Sequence, residues 1–133
     1  MKISFIISLF ISQLIFLAAF SCTDDDEPMS CEEREAYINE QRDLIRAFAE
    51  TSICSEDFEC RYIAFGNKPC GGPWEFLIYT TSIDTLELTY WVNDFNLQET
   101  TYNQDGCGGM STCDTPVPPI GFDCIDNKCI PIY

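Results

Sequence analysis

Hydrophobic and polar positions follow several regimes along the chain. Residues 3–20 form an almost unbroken apolar run behind Met1-Lys2, interrupted mainly by serines and Gln13. Further on, Tyr37, Ile38, Leu44, Ile45 and Phe48 recur at helical spacing while Glu35, Glu40, Arg42 and Asp43 favour the other side. That periodicity predicts an amphipathic helix over residues 31–51. Ser30 and Glu33 have the spacing of a capping box, and Glu32, Glu33 and Glu35 suit the positive end of the helix dipole.

The pattern then changes to short extended stretches. Arg61-Tyr62-Ile63-Ala64-Phe65 reads as a strand stopped by Gly66, and Trp74-Glu75-Phe76-Leu77-Ile78-Tyr79-Thr80 reads as a second one. Between them, Gly66-Asn67-Lys68-Pro69-Cys70-Gly71-Gly72-Pro73 is dense in turn residues, so an antiparallel pair joined by this loop is expected. Leu88, Trp91, Val92, Phe95 and Tyr102 return to helical spacing, with a second capping box from Asp84 to Glu87, which predicts a helix over residues 85–102, although Thr89-Tyr90-Trp91-Val92 would also suit a strand. Residues 103–113 form a loop, and Thr115-Pro116-Val117-Pro118-Pro119 is extended and stiff. The chain closes on a hairpin about Asp126-Asn127, a two-residue turn whose members both tolerate positive φ.

Cysteine usage changes the picture. Of the nine cysteines, Cys22 follows the apolar run, which leaves eight: Cys31, Cys54, Cys60, Cys70, Cys107, Cys113, Cys124 and Cys129. An even set in a small exported domain reads as four disulfides. No pair has Cys-x-x-Cys spacing, so a zinc ribbon or thioredoxin-type site is the weaker reading. Eight cysteines permit roughly a hundred connectivities. Opposed positions in the hairpin point to a Cys124–Cys129 bridge, although each has more distant alternatives. A long-range bond between Cys31 and Cys107 is a further expectation. Such bridges support a core of modest size and offset self-repulsion among acidic groups. The expected architecture is α+β: a small disulfide-rich domain, two helices on a small antiparallel sheet, with a C-terminal hairpin tied in by bridges.

Composition excludes more than it identifies. With 133 residues, 46% apolar and 14% aromatic, the chain is one folded domain and not a disordered acidic segment. No histidine is present, which removes Ser-His-Asp and Cys-His catalysis and His-ligated zinc. Seven basic residues against 22 acidic ones exclude nucleic acid as a partner, since phosphate contacts need lysine and arginine. No cofactor is implied.

The start of the chain has the form of a secretory signal, with a retained transmembrane helix as the competing reading of so long a run. Leu17-Ala18-Ala19-Phe20-Ser21-Cys22 resembles the lipobox of bacterial lipoproteins, with Phe20 in place of a smaller residue. The resemblance implies cleavage after residue 21 and fatty acylation (palmitate-type chains) of Cys22. Two or more chains on one cysteine suffice for stable attachment, at about 0.8 kcal/mol per buried methylene. Thr23-Asp24-Asp25-Asp26-Glu27-Pro28 also resembles the acidic surface-export signal of Bacteroidota lipoproteins, beside its plainer reading as a solvated tether. Residues 1–21 are thus expected as signal peptide, 22–30 as acylated acidic tether, and 31–133 as the stapled domain. The implied location is the outer membrane, facing the periplasm or the cell surface.

A second resemblance rests on Gly66-Asn67-Lys68-Pro69-Cys70-Gly71-Gly72-Pro73-Trp74, followed by Cys113, the proline stretch and Cys124-x4-Cys129. These residues look like a group of small exported bacterial lipoproteins with a Gly-x-Lys-x-Cys-Gly-Gly-Pro core. The likeness implies a domain boundary and no mechanism.

Candidate chemistry is sparse. Lys68, Pro69, Gly71, Gly72 and Trp74 form a possible binding loop, read functionally as an anion nest and structurally as a tight connection beside a disulfide. Glu56, Asp57, Glu59 and Glu75 are available for carboxylate catalysis, but nothing in the sequence singles out a pair. Asn103-x-Asp105-Gly106 is a fragment of an oxygen-ligand loop without the later acidic ligands of an EF-hand. Trp74, Phe76, Tyr79, Tyr90 and Trp91 suit either an aromatic platform or the core. The expected function is therefore a lipid-anchored, non-enzymatic binding or structural module for an extracellular protein or glycan. The alternative is a protease inhibitor presenting Lys68-Pro69-Cys70 or residues 115–119 as a rigid loop.

Overall fold

The computed structural model describes residues 28–133. The signal segment 1–21, the acylation candidate Cys22 and the acidic run 23–27 lie outside the described residues. The element order is α1 (Cys31–Glu50), β1 (Cys60–Phe65), β2 (Glu75–Thr80), α2 (Thr85–Gln104), β3 (Gly121–Ile125) and β4 (Lys128–Ile132).

Helix α1 begins where its cap chemistry places it. The Ser30 hydroxyl accepts from the Glu33 amide at 3.3 Å, and the Glu33 carboxylate accepts from the Ser30 amide at 2.9 Å. That reciprocal pair satisfies donors the first turn leaves open. For α2 only the forward half forms: Asp84 accepts from the amides of Leu86 and Glu87, each at 3.0 Å, without a return bond from Glu87. Cys31 at the start of α1 is bonded to Cys107 just beyond α2, while Phe48 packs on Trp91 with ring centroids 4.9 Å apart. The two helices therefore run antiparallel.

Strands β1 and β2 pair antiparallel from Cys60 opposite Thr80 to Phe65 opposite Glu75. Their inner face meets the helices: Phe65, Leu77 and Tyr79 pack with Ile38, Ile45 and Ala49 of α1 and Leu88, Val92 and Phe95 of α2. Phe65 and Phe95 anchor this cluster at a centroid distance of 4.8 Å. Core residues on β2 fall at alternate positions, as a half-buried strand requires, and those on the helices at three- and four-residue intervals.

The C-terminal hairpin is a separate two-stranded sheet. Asp126 and Asn127 adopt φ of 51° and 61°, the left-handed pair that a tight two-residue turn uses. No residue of the hairpin belongs to the core cluster; it is held by disulfides, by a backbone hydrogen bond and by contacts with the first sheet such as Phe122 against Tyr62, ring centroids 6.2 Å apart. Four disulfides are present: Cys31–Cys107, Cys54–Cys124, Cys60–Cys129 and Cys70–Cys113. The expected Cys31–Cys107 bond forms, whereas the expected Cys124–Cys129 bond does not. Cys124 and Cys129 are opposed in the ladder, and both side chains turn toward Cys54 and Cys60, where bridging ties the hairpin to the rest of the chain. A backbone bond from the Cys54 amide to the Asn127 carbonyl, 3.0 Å, fixes the same junction. Among the described residues no helix is long and apolar enough to cross a membrane.

Candidate functional site

The turn-rich loop between β1 and β2 is held almost entirely by the protein itself. The Gly66 amide donates to Asn96 Oδ1 at 2.7 Å and the Asn67 amide to Glu99 Oε2 at 2.5 Å. The Lys68 amide donates to the Gly72 carbonyl at 2.9 Å, and the Gly71 amide to the Lys68 carbonyl at 2.8 Å. Asn67 in turn donates to Thr100 Oγ1, and Asn103 donates to the Asn67 carbonyl. Where the sequence offered an anion nest, the chain supplies its own anion, the Glu99 carboxylate. Gly66 has φ of 77°, and a Cβ there would lie 2.5 Å from Trp74 Cδ1, so this position needs glycine twice over.

Lys68 is 5% exposed. Its ammonium donates to the Asp114 carbonyl at 2.6 Å, lies 3.5 Å from Asp114 Oδ1, and sits 5.4 Å from the centre of the Trp74 ring. A hydrogen bond from the Thr112 side chain, aided by the Lys68 charge, holds the Asp114 carboxyl below its ordinary pKa. Cys70–Cys113 fastens the same loop to the segment carrying Asp114. Gly71, Gly72 and Trp74 remain exposed on its rim, and Pro69 is half-buried. The structure thus brings Lys68 and Trp74 together and turns the lysine inward.

The remaining sequence candidates are dispersed. Glu59 pairs with Arg61 and Glu75 with Arg46, while Glu56 and Asp57 are exposed on the preceding loop. The one buried carboxylate among the described residues is Glu99, which continues the Leu88–Val92–Phe95 stripe at a position where periodicity calls for an apolar residue. Its Oε1 accepts from Arg42 at 2.5 Å, and Arg42 lies over the Phe95 ring. A charged residue inside an apolar stripe, with an arginine on the neighbouring helix, was the available signal for this pair. Asn103 and Asp105, the fragment of a calcium loop, are engaged by Asn67 and Arg34. Of the five aromatic candidates only Tyr79 is buried in the core.

A different feature opens on one side of the helix pair. Tyr37, Leu44 and Phe48 of α1 and Tyr90, Trp91 and Leu97 of α2 line two adjoining clefts of about 300 and 550 Å³. Gln98 lines both, and Pro28 and Met29, where the described chain begins, border the larger one. Tyr37, Leu44, Tyr90 and Leu97 are exposed, a concentration of apolar surface that marks an interaction site more often than a bare monomer face. Helical periodicity carries Tyr37 and Leu44 as a second stripe beside the buried one, so spacing alone does not separate them from the core positions. Gln98 Nε2 donates to Asp94 at 2.6 Å, while its Oε1 is buried without a hydrogen-bond partner among the described residues. No protein-family model, curated protein or solved structure matches the chain.

Proposed function

We propose that this protein is a lipid-anchored, extracytoplasmic binding module without catalytic activity, attached to the outer membrane through acylated Cys22. The observation that carries the binding reading is the apolar cleft between α1 and α2, presented on a domain braced by four disulfides. Disulfides of this density accord with an oxidising compartment, and pairing of all eight other cysteines leaves Cys22 as the one available for acylation. The lipobox-like Leu17-Ala18-Ala19-Phe20-Ser21-Cys22 and the acidic run after it support surface attachment. Burial of Lys68 beneath Trp74 weighs against an inhibitor that presents Lys68-Pro69-Cys70, in which a protease would need that side chain; it does not bear on residues 115–119, where Val117 is exposed.

Two measurements on the full chain in a diderm bacterial host test this. Metabolic labelling with an alkyne fatty acid is expected to tag the wild type and not Cys22→Ser, with the variant lost from the membrane fraction; an untagged wild type overturns lipid attachment. A photo-crosslinking residue at Leu44 is expected to trap an envelope component on living cells. No adduct at Leu44, with the protein abundant and oxidised, overturns the binding-module reading.

A further inference from the structure

We infer that the α1/α2 cleft is a docking site for a cationic amphipathic helix of a partner polypeptide. This rests on the binding-module reading and names its ligand class. Two antiparallel helices with an apolar stripe between them form the template for a third, whose ridges fill their groove. From Tyr37 to Phe48 the cleft follows α1 over twelve residues, a rise of about 16 Å, or three turns of a docked helix. That length matches recognition through anchors at i, i+3 or i+4, and i+7.

Charge selects among occupants. Asp94 lines the cleft, Glu87 lies two turns earlier on the same side of α2, and Glu40 stands between Tyr37 and Leu44 on α1. All three are exposed, and none takes part in an ion pair among the described residues. Arg34, the basic residue on the cleft wall, is already held by Asp105 at 2.7 Å. A bilayer of anionic headgroups is repelled by a chain of net charge −15, and a second copy would oppose the same carboxylates. A helix with an apolar face flanked by lysine or arginine satisfies both requirements at once.

The test uses the full chain in phosphatidylcholine nanodiscs, with empty nanodiscs subtracted. The probe is a fluorescent 18-residue Leu/Lys peptide designed as an amphipathic helix. Two controls accompany it: a scrambled peptide of the same composition without an apolar face, and a Leu/Glu version. The amphipathic cationic peptide is expected to bind at least about tenfold more tightly than either control, and more weakly as salt is raised. Leu44→Lys and Tyr90→Lys, both at exposed positions, are expected to weaken it by about tenfold with circular dichroism unchanged. Equal binding of the scrambled peptide, or indifference to both substitutions, overturns the inference. So does a dimer in sedimentation that Leu44→Lys dissociates, which assigns the cleft to self-association. A Leu44 crosslink on cells together with failure of the peptide would remove the ligand class and leave the binding module standing.

Discussion

Cys124 and Cys129 stand directly opposite one another across the C-terminal hairpin, and their sulfurs go to different partners, Cys54 and Cys60. One bond therefore ties the hairpin to the stretch between α1 and β1 and the other to the first residue of β1. The sequence separations, 70 and 69 residues, close long loops and so restrict the unfolded chain strongly. After cleavage of the non-reduced protein at arginine and lysine and then at glutamate, residues 129–133 should be recovered bonded to the fragment carrying Cys60. Mass spectrometry finding them bonded to the Cys124 fragment would contradict this wiring.

Arg42 and Glu99 form the most enclosed ion pair, with the carboxylate 4% exposed and also accepting the Asn67 amide. Removing one partner leaves a charge without its counterpart in a poorly solvated site. Glu99→Leu and Arg42→Leu are each expected to cost about 3 kcal/mol. The double variant should lose about 1–2 kcal/mol less than the sum, because neither charge is then stranded. Urea midpoints of the four proteins give the coupling, and simple additivity would refute it.

Gly66 and Gly71 both have positive φ, but only Gly66 is crowded, since nothing lies within 4 Å of a Cβ at Gly71. Gly71→Ala carries backbone strain alone, about 1 kcal/mol. Gly66→Ala adds displacement of Trp74 and Glu99, for a total of about 2–4 kcal/mol. Trp74 fluorescence should shift in the Gly66 variant and stay constant in the other.

Acid should reveal the capping box of α1. Hydrogen bonds from the Ser30 amide and hydroxyl hold the Glu33 carboxyl below its ordinary value of 4.5 in the folded state. A lowered folded pKa means a contribution present above the unfolded value and lost as pH falls through the folded one. Between wild type and Glu33→Gln, the difference in urea midpoint should be constant near neutrality and shrink below about pH 4.5. Relief of repulsion among unpaired carboxylates acts oppositely in the same range, and it cancels to first order in this comparison. A difference independent of pH would refute the assignment.

Sequence alone determined what is local. Periodicity placed both helices within two residues of their observed ends, Ser30 and Asp84 marked their starts, and Asp126-Asn127 marked the hairpin turn, because propensity, capping and turn chemistry act over a few neighbouring residues. An even cysteine set likewise announced disulfides. Tertiary structure decided which sulfurs meet, since opposed strand positions say only that Cys124 and Cys129 share a face and not what that face touches. It also decided that Lys68 turns inward and Glu99 fills the loop's nest, because the partners that hold them, Asp114 and Asn67, stand 46 and 32 residues away. The cleft was hidden for the same reason. A stripe facing the core and a stripe facing an open groove have one periodicity, and only the packing of α1 against α2 and the sheet tells them apart.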